Sequence, residues 1–442
     1  MIVRFSVSNF RSFDNIQEIS MVPSRVRSFP GHVYKTNNNV VPALLKSALI
    51  FGPNSSGKSN LVRALELSKK IIVSSPRNLA REFQVYAFSG RNSRETEFTY
   101  DLIINGKCYA YSFSIDMGII SEENLSLVTS GSEKELYTRK TFGEKVEVIF
   151  GYKFKNKSEE KFHKTISKGT RPDQLFLNYI NSQNPSEVNS HFKDVYDWFN
   201  NKLTIIFPFS KVKKGIEIHI MKNENLREFY EKYLRIFDTG IDKLDFEEFE
   251  FDDPKFQVPE SLKKTILEKI GNEMIMTVSN NQNDTYHVES KDGEILVKKL
   301  KAVHSINNSG KYINFNLSEE SDGTNRIMDL IPMIYLLRQG NTVVIDEIDR
   351  SFHSLISEKI YELFFRETKE KGAQLIATTH DLSLLNLKKL RRDETWFIEK
   401  DKKNRSIIYS LEEFKPRFDK NLRSAYMSGR FGGIPVISDS PE

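Results

Sequence analysis

Residues Gly52-Pro53-Asn54-Ser55-Ser56-Gly57-Lys58-Ser59 fit the spacing GxxxxGK[ST], and few octapeptides restrict a fold as much. Glycines at its ends let successive backbone N–H groups turn inward around a phosphate, the lysine neutralises the phosphate oxygens, and the serine hydroxyl is left for a metal ion. Such amides converge only where a buried strand ends and a helix begins. The flanking sequence supplies both. Ala48 to Phe51 is apolar, and beyond the loop Leu61, Ala64, Leu65, Ile71 and Ile72 recur at helical spacing, with no proline until Pro76.

The same reading extends along the chain. Val3, Phe5 and Val7 alternate with Ile2, Arg4 and Ser6, which predicts an N-terminal strand. From Phe83 to about Phe154, runs such as EFTYDLIING, KCYAYSFSID and KVEVIFGYKF predict an antiparallel β-rich region, with Asn105-Gly106 as a hairpin turn. Residues 155–283 are charged and mixed, with helices expected at Val188–Leu203, Asn225–Phe237 and Glu260–Met274; no heptad persists there, which argues against a coiled-coil arm. The last third alternates again: strand Tyr312–Leu317, helix Asn325–Leu337, strand Thr342–Ile345, helix Ser354–Arg366 and strand Gln374–Thr378. Gly340 and Gly372 follow the two helices, where a left-handed cap is wanted. The alternation predicts a mainly parallel sheet. The expected domains are 1–154, an inserted α-rich domain at 155–283, and 284–442.

Composition narrows the function classes. A hydrophobic content of 38% with 28% charged residues is that of a folded chain. No apolar run approaches the roughly 18 residues of a membrane span, and Met1 to Phe10 lacks the pattern of a signal peptide, so a cytoplasmic location without membrane attachment is expected. Cys108, the single cysteine, excludes an internal disulfide and any multi-cysteine zinc site. A net charge of +5, from 65 basic and 60 acidic residues, makes no bulk-charge case for nucleic acid, although a local patch stays open.

A phosphate loop of this kind needs a second, acidic site for the metal. Val343-Val344-Ile345-Asp346-Glu347 supplies it: the apolar strand carries Asp346 to its end, where the carboxylate can hold Mg2+ with Ser59, and puts Glu347 where it can polarise an attacking water. Asn54, Ser55, Ser56 and Asn60 join Gly52, Gly57, Lys58 and Ser59 as candidate nucleotide-binding positions. No NKxD motif follows the loop, which favours ATP over GTP. Ser321-Asp322-Gly323-Thr324 reads as the N-terminus of the helix leading to the VVIDE strand, and His380 follows the strand Gln374–Ala377. Asp349, Arg350 and His353 read either as interface residues or as an ordinary helix start.

In order, GPNSSGKS, ESDGT, VVIDE and TTHD resemble the heads of ABC-type ATPases, where a serine-glycine signature and a switch histidine occupy the positions of Ser321, Gly323 and His380. The N-terminal NFRSF resembles the start of the structural-maintenance-of-chromosomes and recombination ATPases, which makes Arg11 the candidate for the basic residue near the nucleotide. With LRRDETWFIEKD and YMSGRFGGIP, the motifs are similar to bacterial ABC-like AAA ATPases of anti-phage systems: abortive-infection ATPases, OLD-family proteins and the ATPase subunit of PARIS-type systems. The resemblance covers both ends of the chain and little of the middle. It implies an α/β fold: an ABC-type P-loop ATPase head, with a mixed, mainly parallel sheet and an antiparallel β subdomain, plus an inserted mostly helical domain. It also implies that two copies sandwich two ATP molecules. Ser321 and Gly323 of one copy would complete the site formed by Lys58, Ser59, Asp346 and Glu347 of the other, with Lys58, Glu347 and His380 as catalytic residues. A homo-oligomer of at least two subunits is expected, and a ring is compatible. OLD proteins carry a Toprim nuclease after the ATPase, whereas 62 residues follow His380 here without its acidic motif. The implied role is therefore a sensor that holds or activates a separate effector, for example a nuclease. The alternatives are a repair or recombination ATPase acting on DNA and an ATP-binding scaffold with little turnover.

Three further signals are read as structural. Arg27 to His32 has the RxxxxH spacing of some RNases, but Pro30 and Gly31 break the helix that motif needs. DFEEFEFDD at 245–253 reads as a half-exposed strand or loop, with docking to a basic partner as the sharper alternative. Basic residues between Arg139 and Arg171, interleaved with Phe142, Tyr152, Phe154 and Phe162, read as a solvated face ahead of a phosphate-backbone contact.

Overall fold

A computed structural model of the chain describes residues 1–76, 79, 84, 95–183, 188–208, 216–271, 273–281, 284–306, 310–416 and 422–433. Phe83, the expected start of the β-rich region, and Ile434-Pro435 of the tail motif lie outside them. The chain forms two units, 1–209 with 335–442, and 210–334.

In the first unit, β1 (Ile2–Ser8) buries Val3, Phe5 and Val7 as the alternation requires and pairs antiparallel with β2 (Gln17–Ser20). A ribbon of β3 (Val33–Lys35) and β4 (Ala43–Leu45) leads to β5 (Ser47–Phe51), then α1 (Lys58–Ser74). The aromatic alternation becomes a meander of β6 (Thr96–Ile104), β7 (Lys107–Asp116), β8 (Ile119–Val128), β9 (Glu133–Phe142) and β10 (Lys145–Phe150), which joins β1 and β2 in one seven-stranded sheet. Asn105 and Gly106 close the β6–β7 hairpin at φ 51° and 74°, the two left-handed residues a tight hairpin demands. Cys108 is buried on β7, and burial pushes its thiol up to about 11.

Three helices follow: α2 (Lys157–Gly169), α3 (Phe176–Asn181) and α4 (Ser190–Asp197). Buried Glu123 ties α3 to the meander, accepting from Tyr111 and Tyr137 hydroxyls at 2.9 and 2.7 Å and from Phe176 and Leu177 N–H groups at 2.6 and 3.1 Å. Arg139 is buried too, donating to the carbonyls of Ile120, Arg171 and Pro172, while Tyr152, Phe154 and Phe162 pack around His163. Arg139 and the rings around His163 therefore pack inward, while the lysines from Lys140 to Lys168, Arg171 and Phe142 are exposed, the solvated face that the sequence reading expected. β11 (Leu203–Ile206) ends this part of the chain.

The second unit corrects the expected domain map. The sequence placed an α-rich insert at 155–283, but 157–206 belongs to the first unit and 284–334 to the second. Nor is the unit mostly helical. Beside α5 (Ile216–Lys222), α6 (Glu224–Ile236) and α7 (Glu260–Lys269) it holds a five-stranded antiparallel sheet of β12 (Lys243–Glu250), β13 (Ile275–Ser279), β14 (Thr285–Lys291), β15 (Glu294–Ile306) and β16 (Lys311–Asn316). The acid-phenylalanine run is β12, and its carboxylates meet lysines of its neighbour β15: Glu248 lies 3.1 Å from Lys298, and Glu247 lies 2.9 Å from Lys301. Cross-strand pairing accounts for Glu247 and Glu248 of the acidic run. α8 (Asp322–Arg338) follows.

The first unit resumes at Tyr335, within α8, and goes on to β17 (Thr342–Ile345), α9 (Ser354–Glu367), β18 (Gln374–Thr378), β19 (Thr395–Lys400), β20 (Ser406–Ser410) and α10 (Leu422–Met427). These strands build a six-stranded sheet in the order β11-β17-β18-β5-β19-β20, parallel except for the β19–β20 pair. Every residue of β5, β17 and β18 is buried, which explains why they read as unbroken apolar runs. Gly340 caps α8 at φ 77° as expected. Gly372 does not take the left-handed form; a side chain there would press on Met1 Sδ at 3.1 Å and the Tyr34 ring at 3.2 Å, so close packing is its reason. His32 of the RxxxxH spacing stacks on Phe365 at 3.5 Å and bonds Glu394 at 2.9 Å, as part of the interior. No helix among the described residues is long and apolar enough to cross a membrane.

Candidate functional site

The glycine loop spans the end of β5 and the start of α1, and its geometry follows from what surrounds it. A Cβ at Gly52 would strike the Ile398 carbonyl on β19, and one at Gly57, held at φ 115°, would strike Ser406 and sit 2.9 Å from Ser12 Oγ. Only glycine fits either position. The loop is clamped from outside: the Ser406 hydroxyl donates to the Ser56 carbonyl at 2.5 Å, the Ser406 N–H donates to the Ser12 carbonyl at 2.8 Å, and Asn60 donates to Ser12 Oγ at 2.8 Å. Asn54 and Ser55 are exposed, Ser59 and Asn60 half-buried, and Ser56 is buried with its hydroxyl lacking any partner among the described residues.

Lys58 folds back over the loop, donating to the carbonyls of Gly52 at 2.7 Å and Pro53 at 2.9 Å. Burial lowers its pKa to about 8, against the opposing pull of Asp346, Glu347 and Asp349. These acids come from the end of β17. β18 lies between β17 and β5 and supplies the residue that organises the acidic pair, Thr378. Its hydroxyl donates to Asp346 Oδ1 at 2.6 Å and accepts the Glu347 N–H at 2.8 Å. Glu347 sits in the left-handed region at φ 53°, a costly conformation for a non-glycine residue, held by this bond. One residue past Thr379, the backbone N–H of His380 reaches the Asp349 carboxylate at 3.2 Å. Partial burial and the Lys58 charge lower the His380 pKa, opposed by Asp349, Glu347 and Asp346.

Lys58, Asp346, Glu347, Asp349 and His380 are thus within one another's electrostatic reach. Arg350 stands 3.8 Å from Glu347, and His353 accepts the Leu355 N–H as the cap of α9, an ordinary helix-start role. Arg11, at φ 52°, lies over Phe10 with its guanidinium 5.6 Å from the ring; burial and then Arg63 lower its pKa, which puts a second cation near the first turns of α1. Ser321 and Gly323 belong to the second unit. There Ser321 Oγ accepts the Thr324 N–H at 3.1 Å, capping α8 with Ser321 and Asp322 exposed.

Roles for Thr378, Ser406 and Ser12 are missing from the sequence reading, although Thr378 opens the TTHD motif and Ser12 lies within NFRSF. So is the wall beside the loop. A cavity of about 830 Å³ is bounded by Phe51 to Asn54, His380, Glu399, Lys400 and the tail residues Tyr426 and Gly433. The tail is fixed by a Gly433 N–H to Glu399 bond of 2.6 Å and by stacking of Tyr426 and Phe431 on Phe397.

The residues fit Mg2+ bound with a nucleotide. The described residues hold no cluster of three His, Cys, Asp or Glu side chains that would cage a metal unaided. Mg2+ asks for less, one or two protein oxygens with phosphates and water, and Ser59 with Asp346 is such a set.

The profile of one protein family, described as "AAA domain, putative AbiEii toxin, Type IV TA system", matches residues 47–386. No curated protein matched the chain. Among solved structures, one described as "Crystal structure of the SmcHead bound to the C-winged helix domain of ScpA" is similar at a TM-score of 0.42 and 11% identity, covering 94% of this chain and 99% of that one. The "SMC head domain from Thermotoga maritima" is similar at 0.37 and 11% identity, covering 92% and 98%.

Proposed function

The chain belongs to the AAA-domain family so described, and from that membership and the geometry around Thr378 we propose that it binds ATP at the Gly52–Ser59 loop and hydrolyses it. The observation that carries the reading is the Thr378 hydroxyl, which joins the Asp346 carboxylate and the Glu347 backbone on the strand beside the phosphate loop. It fixes one acid for a metal and sets the next to face solvent. A bound Mg2+ would supply charge neutralisation at the β and γ phosphates. Lys58 exchanges its two carbonyl contacts for phosphate oxygens, and the loop amides with the Ser56 hydroxyl hold the remainder. Glu347 orients and polarises the attacking water, and His380 donates a hydrogen bond to the departing phosphate.

Ser321 and Gly323 cap an exposed helix start, where free amides favour an anion. We assign them to the γ-phosphate held by a second copy, so that assembly and turnover depend on each other. In this reading the ATP cycle holds or releases a separate effector in anti-phage defence. The support for that last step is the motif resemblance alone.

A phosphate-release assay tests the chemistry. Lys58→Ala is expected to lose nucleotide binding, and Glu347→Gln to bind ATP while turnover falls about a hundredfold or more. Parent-like turnover by Glu347→Gln would remove Glu347 from its role.

A further inference from the structure

The ESDGT motif opens on Glu320, to which the ATPase reading gives no role. It is the residue before Ser321, and the second unit holds it at both ends. Its side chain, 10% exposed, lies 2.6 Å from His304 Nε2 of β15, and its carbonyl accepts from the Asn325 side-chain amide of α8 at 3.2 Å. A carboxylate only accepts, so the ring nitrogen is the donor of the first bond.

The imidazole is fixed in turn. Phe315 of β16 stands edge-on to it with ring centroids 5.2 Å apart, and Gly240, at φ 79°, comes so close that a Cβ there would lie 3.3 Å from His304 Nδ1. The connection from β16 to α8 is anchored at every second residue: Lys301 donates to Asn316 Oδ1 at 2.7 Å, Ser318 donates to Asp284 Oδ1 at 2.5 Å, and His304 holds Glu320. Of these anchors the last adjoins Ser321, whose Oγ accepts the Thr324 N–H at 3.1 Å. A hydroxyl that has to meet a phosphate needs its place fixed to about half an ångström, and bonds from supporting residues supply that.

We propose that His304 is a positioning residue for the composite ATP site: through Glu320 it holds Ser321 where the γ-phosphate of a second copy arrives. This role rests on the assignment of Ser321 to that phosphate. It ties the antiparallel sheet of the second unit to turnover in another copy, so that His304 serves a nucleotide its own chain does not hold.

Steady-state phosphate release beside a fluorescent-ATP titration tests it. His304→Leu should lower turnover about tenfold, as loss of an orienting bond does, with ATP affinity nearly unchanged because Lys58 and its loop are untouched. His304→Gln, whose amide nitrogen can replace Nε2, should restore most of the turnover. Glu320→Ala removes the other end of the bond from the connecting segment and should match His304→Leu. Mixtures then tell which half of the site His304 serves. In equal amounts with Lys58→Ala, His304→Leu should recover to about a quarter of the parent turnover, since a hybrid keeps one intact site; with Ser321→Arg, which blocks the helix start, it should give no more than the two measured apart. The proposal is overturned by parent-like turnover in His304→Leu and Glu320→Ala, by equal losses of ATP affinity and turnover, by His304→Gln no better than His304→Leu, or by no recovery with Lys58→Ala. In each case the shared site itself stands if Lys58→Ala and Ser321→Arg still complement one another; if they do not, the shared site fails and the role of His304 with it.

Discussion

At the scale of single residues, Thr378 carries more of the account than its place in the sequence suggests. One hydroxyl serves Asp346 and the strained Glu347 backbone together, so removing it disturbs the proposed metal ligand and the proposed water-orienting acid in one step. Thr378→Val is expected to lower turnover about tenfold to a hundredfold, the usual effect of losing a residue that orients a ligand, with nucleotide affinity nearly unchanged. Phosphate release beside a fluorescent-nucleotide titration would check it, and equal losses in both would point to a disrupted loop instead. The motif residues were legible because their chemistry is encoded in short spacings: Lys58 and Ser59 after Gly57, or Asp346 and Glu347 after an apolar strand. The roles of Thr378, Ser406 and Ser12 were not, because their partners lie 32, 350 and 48 residues away, and the motifs that contain Thr378 and Ser12 do not tell what those hydroxyls bond.

Among the elements, β5, β17 and β18 were the most readable. Each is buried on both faces, so apolar run and strand coincide, and the last two were expected with the bounds they have. The sheet of the second unit was hard to read for the opposite reason. β12 and β15 set carboxylates and lysines opposite one another, and paired charges hide the alternation that marks a half-buried strand. β11 was also missed, being four residues attached to the end of a helical stretch. The contact between α3 and the meander rests on Glu123, whose carboxylate satisfies two hydroxyls and two helix-start amides. Glu123→Ala strands those buried donors and should cost about 3 kcal/mol of unfolding free energy in urea titrations. A loss under about 1 kcal/mol would mean that α3 is held chiefly by its apolar side chains.

For the molecule as a whole, the proposed composite site makes assembly part of catalysis. The glycine loop and its acids form a site open to solvent at Asn54, Ser55 and His380, while Ser321 and Asp322 are exposed at the start of α8. A variant that binds ATP without consuming it should trap the assembled form, so Glu347→Gln with ATP should sediment at twice the protomer mass or more, and at lower mass without ATP. Complementation between two inactive variants tests whether the site is shared between copies. Lys58→Ala lacks the lysine assigned to the phosphates and Ser321→Arg blocks the helix start; each alone should be inactive. Mixed in equal amounts, they form hybrids with one intact composite site, and turnover should recover to about a quarter of the parent value if pairing is random and sites act independently. Turnover no higher than the sum of the two variants measured separately, or a Ser321→Arg protein as active as the parent, would contradict a shared site.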